Sequence, residues 1–170
     1  MTGPDAFAVL GLPRRFDIDQ SDIEQAYMAR VASAHPDAGG GGDGPGLEAL
    51  NAAREQILDD ERRARLLLEL LGGSAGNATL PPAFLAEIME VREDAERAYE
   101  AGDQAAIDRW LAWARDRRSA HREEVAVLFA EADESLDSDR AGAIADVLHR
   151  WRYVERMLEQ VGQPEHAPDA

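Results

Sequence analysis

The residues best suited to chemistry in this chain are His35 and Asp37, which flank Pro36 directly before a glycine run at 39–42. Proline disfavours helical geometry in the residue before it, so a helix that arrives from the N-terminal side should end near Ala34. The imidazole and the carboxylate should therefore stand on a stiff turn. The alternative is that Pro36 and Asp37 are ordinary loop residues and that the histidine is incidental. The segments around the turn must distinguish between these two interpretations.

Other kinds of reactive site have little support in the sequence. The chain contains no cysteine, which removes disulfides, cysteine zinc sites and thiol nucleophiles. The glycines of 38–46 lack the preceding strand and the following Lys-Ser/Thr that a phosphate-binding loop requires. The four histidines, His35, His121, His149 and His166, are too scattered for a metal pair. We therefore expect no metal and no cofactor, and an enzyme is the weakest of the function classes.

His121 and Arg118 fall within the apolar stripe of a long predicted helix. A catalytic or metal-binding role for His121 is conceivable, but no second ligand is spaced to meet it. We expect a buried histidine that has a hydrogen-bond partner.

The charge of the chain argues against nucleic acid as its main partner. The sequence has 34 acidic and 18 basic residues and a net charge of -16, which would repel a phosphate backbone. Hydrophobic residues make up 45%, which is ordinary for a globular protein, and no run approaches the roughly 18 apolar residues of a membrane span. The segment 1–10 has no basic start and is not a signal peptide. We expect a cytoplasmic protein without membrane contact.

The segments on either side of the turn predict a helical hairpin. Asp19 is a candidate N-cap of a helix whose apolar face ends before Pro36. After the glycine run, an apolar pattern of the same period begins at Leu47. The predicted apolar faces are Ile23, Ala26, Tyr27, Val31 and Ala34 before the turn and Leu47, Leu50, Ala53, Ile57 and Leu58 after it. Two antiparallel helices of comparable length therefore place His35 and Asp37 at the tip.

Two short helices complete this first third of the chain. An apolar stretch at 7–10 is followed by Gly-Leu-Pro at 11–13, which should end a helix of one or two turns. The aspartates at 59–60 should cap a further helix over 62–71, and the glycines at 72–73 should end it.

Three further helical patterns predict an antiparallel three-helix bundle, because the connections between them are short. The first begins at Pro82 and ends at Gly102. Asp103 should cap the second, and Asp137 or Ser138 the third. The predicted core positions are Phe84, Ile88, Val91, Ala95 and Tyr99, then Ile107, Trp110, Leu111, Ala114, Val125, Leu128, Phe129 and Ala132, and finally Ile144, Val147, Leu148, Trp151, Val154, Leu158 and Val161.

Some apolar residues of these helices lie outside the core stripes. At about 100° per residue, Leu85 and Met89 fall at the flank of the first stripe, with Glu90 and Glu93 further towards solvent. Tyr153 should sit nearly opposite the stripe of the last helix. Singly exposed apolar residues are common, but as a set beside acidic residues these indicate a protein-binding patch.

The hairpin resembles a J-domain, the co-chaperone module that stimulates ATP hydrolysis by DnaK-type chaperones. The resemblance rests on Leu-Gly-Leu-Pro at 10–13, the His-Pro-Asp turn and Asn-Ala-Ala at 51–53. Together with Arg63-Ala64 and Leu67-Leu68, it resembles the HscB family of iron-sulfur cluster co-chaperones. The resemblance implies that His35, Pro36, Asp37, Arg30 and Tyr27 contact the ATPase of a DnaK/HscA-type chaperone. Family members usually carry a basic face on the helix before the turn, where this chain has Arg30 alone.

The bundle resembles the second part of HscB proteins through the segments 84–93 and 151–154. Members use this surface to hold the scaffold protein on which iron-sulfur clusters are assembled. The resemblance therefore implies an IscU-like scaffold as the second partner. By position, the contacts would be Leu85, Ala86, Met89, Glu90, Glu93 and Tyr153.

The predicted architecture is all-α, with a J-domain at 1–72, a linker at 73–82, a three-helix bundle at 83–162 and a flexible tail at 163–170. The leading hypothesis is a co-chaperone that stimulates a DnaK/HscA-type ATPase and delivers a scaffold protein to it. The alternative is a degenerate J-domain adaptor that binds a protein partner without activating an ATPase.

Overall fold

The computed structural model describes residues 4–34, 45–76, 80–130 and 136–161, and within these ranges the chain forms helices and no strands. The predicted all-α fold class is confirmed. The chain divides into two compact units, Met1–Leu71 and Gly72–Ala170. The predicted tail at 163–170 lies outside the described residues.

The first unit contains four helices, which are α1 (Ala6–Leu10), α2 (Gln20–Ala34), α3 (Leu47–Leu58) and α4 (Asp60–Leu70). The carboxylate of Asp5 caps α1 by accepting from the Ala8 amide at 3.1 Å. Gly11 ends α1 with φ of 75°, a left-handed conformation that favours glycine. Asp59 caps α4 by accepting from the Arg62 amide, so α4 begins two residues earlier than predicted.

The helices α2 and α3 form the predicted antiparallel pair. The Tyr27 hydroxyl donates to Asn51 at 2.7 Å, and one turn earlier on α2 Glu24 accepts two hydrogen bonds from Arg54 at 2.8 and 2.5 Å. Since the partner of the earlier residue comes later in α3, the two helices run in opposite directions. Most of the predicted faces are buried or half-buried, but Leu47, the first residue of the predicted face of α3, is 57% exposed.

The buried side chain of Arg63 joins three parts of the first unit. Its guanidinium donates to the Phe16 carbonyl at 2.9 Å, to the Ile57 carbonyl and to the Asp60 carboxylate. It also lies over the Phe16 ring, 5.1 Å from the centroid. The loop before α2, the end of α3 and the start of α4 are thereby held together by one cation.

The second unit contains α5 (Pro82–Ala101), α6 (Gln104–Ala130) and α7 (Ser138–Val161). Pro82 occupies the first turn of α5, and Gly102 ends it with φ of 65°. The carboxylates of Asp103 and Asp137 accept from backbone amides in the first turns of α6 and α7, at 3.1 and 2.8 Å. All of these helix boundaries agree with the predicted caps.

The three helices pack against one another as an antiparallel bundle. On α6, Arg118 pairs with Glu155 of α7, and Glu124 pairs with the earlier residue Arg150. One core cluster consists of buried side chains from all three helices: Phe84, Ile88, Ala95, Trp110, Ala114, Val154 and Met157. Arg118 is exposed, so its predicted place in the core stripe is wrong.

Candidate functional site

The first candidate site lies around the predicted turn between α2 and α3. The residues predicted to do its chemistry, His35, Pro36 and Asp37, lie outside the described residues. The two predicted contacts on α2, Tyr27 and Arg30, are described. They are three residues apart on one helix and therefore share a face.

Tyr27 is half-buried and fixed by its neighbours. Its hydroxyl donates to Asn51, and the guanidinium of Arg54 lies over its ring, 5.2 Å from the centroid. Arg54 also pairs with Glu24, and this hydrogen bond is the main cause that lowers the pKa of the Glu24 carboxyl. The network holds the Tyr27 ring in one orientation, with part of its surface open to a partner.

Arg30 lies across the end of α1. A Cβ atom added at Gly11 would be 2.5 Å from Nη2 of Arg30, closer than a real contact permits. Glycine at position 11 therefore serves both the left-handed backbone and the close approach of the guanidinium. The acidic residues of α2, Asp22 and Glu24, lie in its first half, so Arg30 places a positive charge in the half that leads towards the turn.

The second candidate site is the flank of α5. The Met89 side chain is 62% exposed and Leu85 is half-buried, while Ala86, Glu90 and Glu93 are exposed. These exposures agree with the predicted flank and solvent positions.

Tyr153 differs from its predicted position. Its ring meets Phe84 of α5 edge to face, with centroids 6.3 Å apart, and it is half-buried. The helical period predicts a position nearly opposite the apolar stripe of α7. In the structure α7 packs against both α5 and α6, and its buried arc widens to include Met157, which the sequence reasoning missed.

Leu85 adjoins the α5 residue that Tyr153 contacts. Glu87 of α5 forms an ion pair with Arg117 of α6, which fixes the side of α5 that faces α6. Leu85, two residues earlier, points about 160° away from Glu87. Leu85 directly follows Phe84, the residue that Tyr153 contacts, and Met89 follows Leu85 one turn later. Ala86, Glu90 and Glu93 border this apolar group on the outer surface.

His121 is buried as predicted, but without the expected hydrogen bond. Within the described residues its Nε2 has no partner, and its Nδ1 lies 4.0 Å from Glu124, too far for a hydrogen bond. Burial lowers the pKa of His121 to about 4, and the nearby Arg150 contributes to this shift. The imidazole is therefore neutral at pH 7.

No group of three or more His, Cys, Asp or Glu side chains in the described residues could hold a metal ion. Among the described helices, none combines the length and apolarity needed to cross a membrane.

Comparisons with known proteins relate the chain to one family. A family model described as the HSCB C-terminal oligomerisation domain matches residues 80–162. The co-chaperone protein HscB homolog of Paraburkholderia phymatum is 32% identical over 166 residues, covering 92% of this chain and 91% of that protein.

Two solved structures are similar to the chain in fold. The crystal structure of human co-chaperone protein HscB matches with a TM-score of 0.72 and 21% identity, over 95% of this chain and 82% of that one. The chaperone HscB from Vibrio cholerae matches with a TM-score of 0.63 and 26% identity, over 94% of this chain and 96% of that one.

Proposed function

The chain belongs to the HscB family of co-chaperones, and on that premise we propose that it stimulates ATP hydrolysis by a DnaK/HscA-type chaperone and delivers an IscU-like iron-sulfur scaffold protein to it. The observation that carries the proposal is the extent of the relationship. It covers 92% of the chain and so includes both the hairpin with the His-Pro-Asp turn and the helical bundle.

The hairpin is the proposed contact with the chaperone. His35, Pro36 and Asp37 meet the ATPase, and Tyr27 and Arg30 extend the contact along α2. The fixed orientation of Tyr27 supports this role, because a preorganised side chain loses little conformational entropy on binding. With Arg30 as the one basic residue of α2, long-range attraction to an acidic surface is weak, and short-range contacts at the turn carry most of the affinity.

The α5 flank is the proposed contact with the scaffold protein. Leu85, Met89 and Tyr153 supply an apolar centre, which is the usual composition of the energetically dominant part of an interface. Ala86 lies beside this centre, and Glu90 and Glu93 supply an acidic border that can select a partner with a basic surface.

The proposed mechanism is coupling by proximity. One chain that binds the scaffold protein and the chaperone converts their meeting into an intramolecular event, which raises the effective concentration of each for the other. The chemistry of ATP hydrolysis belongs to the chaperone, and this protein acts as its regulator.

Steady-state ATPase assays of the chaperone test the first half of the proposal. The protein should raise the rate, and His35→Gln should abolish the increase while its affinity for the scaffold is unchanged. Arg30→Gln should weaken the stimulation, whereas Arg15→Gln, an exposed charge change in the same unit, should not. Absence of stimulation by the natural protein, or full stimulation by His35→Gln, would refute this half.

Scaffold affinity tests the second half. Met89→Ala should weaken scaffold binding about tenfold, the effect of losing roughly 1.4 kcal/mol at an interface centre. Val127→Ala is a matched control, because Val127 is 58% exposed on α6, away from the α5 flank. Equal affinities of the two variants would contradict the assignment of this surface.

A second candidate function is an adaptor that binds a protein partner without activating an ATPase. The charge of α2 favours it, since Arg30 is accompanied by Asp22 and Glu24. The adaptor predicts scaffold binding with an unchanged ATPase rate, so the first assay separates the two candidates.

A further inference from the structure

Two large apolar side chains are exposed in the described part of the first unit. Met28 of α2 is 61% exposed, and Leu47 of α3 is 57% exposed. Neither side chain belongs to the core of this unit. Methionine is common at surfaces that bind other proteins, because its flexible thioether side chain adapts to the shape of a partner.

The contacts between α2 and α3 place these two side chains along the same seam. The Tyr27 hydroxyl donates to Asn51 at 2.7 Å across the seam. Met28 lies four residues after Glu24, whose carboxylate accepts from α3, and Leu47 lies four residues before Asn51. Residues four apart share a face of a helix, so both side chains continue the faces that border the seam. Met28 and Leu47, which we call the hairpin patch, therefore lie at the end of the seam that leads into the predicted turn.

The hairpin patch has no free positive charge beside it from either helix. The basic residues of α2 and α3 are Arg30 and Arg54. Arg30 lies about 160° around α2 from Met28, and its guanidinium approaches Gly11 at the end of α1. Arg54 is paired with Glu24 at 2.5 Å. The exposed residues of α2 between positions 25 and 33 are all uncharged: Gln25, Met28, Ala29, Ala32 and Ser33. An acidic surface would find no cation to pair with here, whereas an apolar surface would bury both side chains of the patch.

We infer that the hairpin patch binds an apolar surface of the DnaK/HscA-type chaperone, so that recognition along α2 depends on burial of Met28 and Leu47 and not on charge. The inference rests on the proposed function, because its occupant is the chaperone that meets the turn. Position favours this occupant. Met28 is about 9 Å along the helix from Ala34, the last residue of α2, and a standard interface of about 800 Å² per partner extends further than that.

A second copy of this chain is the other candidate occupant of the hairpin patch. The family description that names oligomerisation concerns residues 80–162, which lie outside the first unit. It therefore lends no support to a second copy at the patch.

Truncation of the patch separates its role from that of the turn. The measured quantities are the maximal ATPase rate of the chaperone and the concentration of full-length protein that gives half of the stimulation. Met28→Ala and Leu47→Ala should each raise that concentration about fivefold and leave the maximal rate unchanged, because a contact is lost while the turn is intact. Met28→Leu should behave like the natural protein. Val127→Ala, a truncation of a similarly exposed apolar side chain in the second unit, should change neither quantity.

A charge at position 28 provides the sharpest test, because apolar and acidic partner surfaces predict effects of opposite sign. Met28→Arg should raise the half-stimulating concentration about tenfold, since an apolar surface offers the buried guanidinium no partner. An acidic partner surface would instead attract the new guanidinium and lower that concentration. Circular dichroism confirms that each variant is folded.

Failure of this inference can be distinguished from failure of the proposed function. If the natural protein does not stimulate the ATPase, both are overturned. If it does, and either the alanine variants match it or Met28→Arg acts at an equal or lower concentration, the inference alone is overturned. Sedimentation equilibrium of the protein by itself tests the other occupant: a dimer that Met28→Arg dissociates would assign the patch to a second copy and overturn the inference.

Discussion

Each of the two units buries an ionisable side chain, and the two side chains differ in the hydrogen bonds that they form. Arg63 in the first unit is 1% exposed, and His121 in the second is 4% exposed. The Arg63 guanidinium donates hydrogen bonds to two backbone carbonyls and to the Asp60 carboxylate. His121 has no partner at Nε2 among the described residues and persists as a neutral ring. A buried charge without partners would cost far more free energy than the one unsatisfied nitrogen of a neutral imidazole does.

The two units also differ in how completely their other buried polar atoms are hydrogen-bonded. Among the described residues, the buried side-chain nitrogens without a hydrogen-bond partner are Nε1 of Trp110, Nε2 of His121 and Nδ1 of His149. All three belong to the second unit. The first unit is thus specified by a satisfied polar network, and the second by long helices whose apolar packing tolerates unsatisfied polar atoms.

The largest loss of stability should come from removing the buried Arg63 cation. Arg63→Met removes the hydrogen bonds that the guanidinium donates to the Phe16 and Ile57 carbonyls and to the Asp60 carboxylate, and should destabilise the first unit by about 3–5 kcal/mol. Amide NMR signals of α3 should be lost at lower urea concentration. The fluorescence transition of the tryptophans, all in the second unit, should not move. Unchanged unfolding of the first unit would contradict the role given to Arg63.

The next largest change in stability should appear when the pH is lowered, and it should affect the second unit. The pKa of His121 is about 4 in the folded protein and 6.5 in an unfolded chain, so the unfolded state gains a proton first as pH falls. Stability that is complete above pH 6.5 should decrease by up to about 3 kcal/mol as pH approaches 4. His121→Leu should flatten this decrease in urea titrations followed by tryptophan fluorescence. The same pH profile in both proteins would show that His121 does not cause it.

Removing one helix cap in each unit should lower the stability of the two units by equal and smaller amounts. Asp59→Ala removes the acceptor for the Arg62 amide in the first unit, and Asp103→Ala removes the acceptor for the Ala106 amide in the second. Each should cost about 1 kcal/mol in the unfolding of its own unit, and the Asn replacements should cost much less. A cap variant that destabilises the other unit equally would show that the units do not unfold separately.

The smallest effect should come from an exposed ion pair. Arg118→Gln removes the pair with Glu155 and should cost less than about 1 kcal/mol at low salt. Glu155→Ala should cost more, because Glu155 also accepts the Trp151 indole N–H at 2.9 Å. Thermal unfolding of both variants checks the order, and the reverse order would contradict it.

Local signals in the sequence predicted the helix ends well. The caps at Asp59 and Asp103 and the glycine stop at Gly102 depend on residues within one turn, and the structure confirms them. Contacts between distant elements were not predictable in the same way. The Arg63 guanidinium donates to the carbonyl of Phe16, which lies far earlier in the chain, and the contact of Tyr153 with Phe84 depends on how α5 packs on α7. Periodicity identifies an apolar face but not its width.

In the candidate sites too, some features were predictable from local sequence and others depend on contacts between helices. Exposure of Met89 and the solvent positions of Glu90 and Glu93 followed from helical geometry. The close approach of Arg30 to Gly11 could not be predicted from helical geometry, since it depends on how α1 packs against α2. The roles of these residues remain predictions that rest on the family relationship.

The most direct test of the account is whether the two units must be joined. A protease site introduced at residues 77–79, within the predicted linker 73–82, allows the purified protein to be cut between the hairpin and the three bundle helices. We predict that the cut protein needs about a hundredfold higher concentration for scaffold-dependent stimulation of the chaperone ATPase, because the effective concentration supplied by the chain is lost. Identical concentration dependence before and after cutting would contradict coupling by proximity.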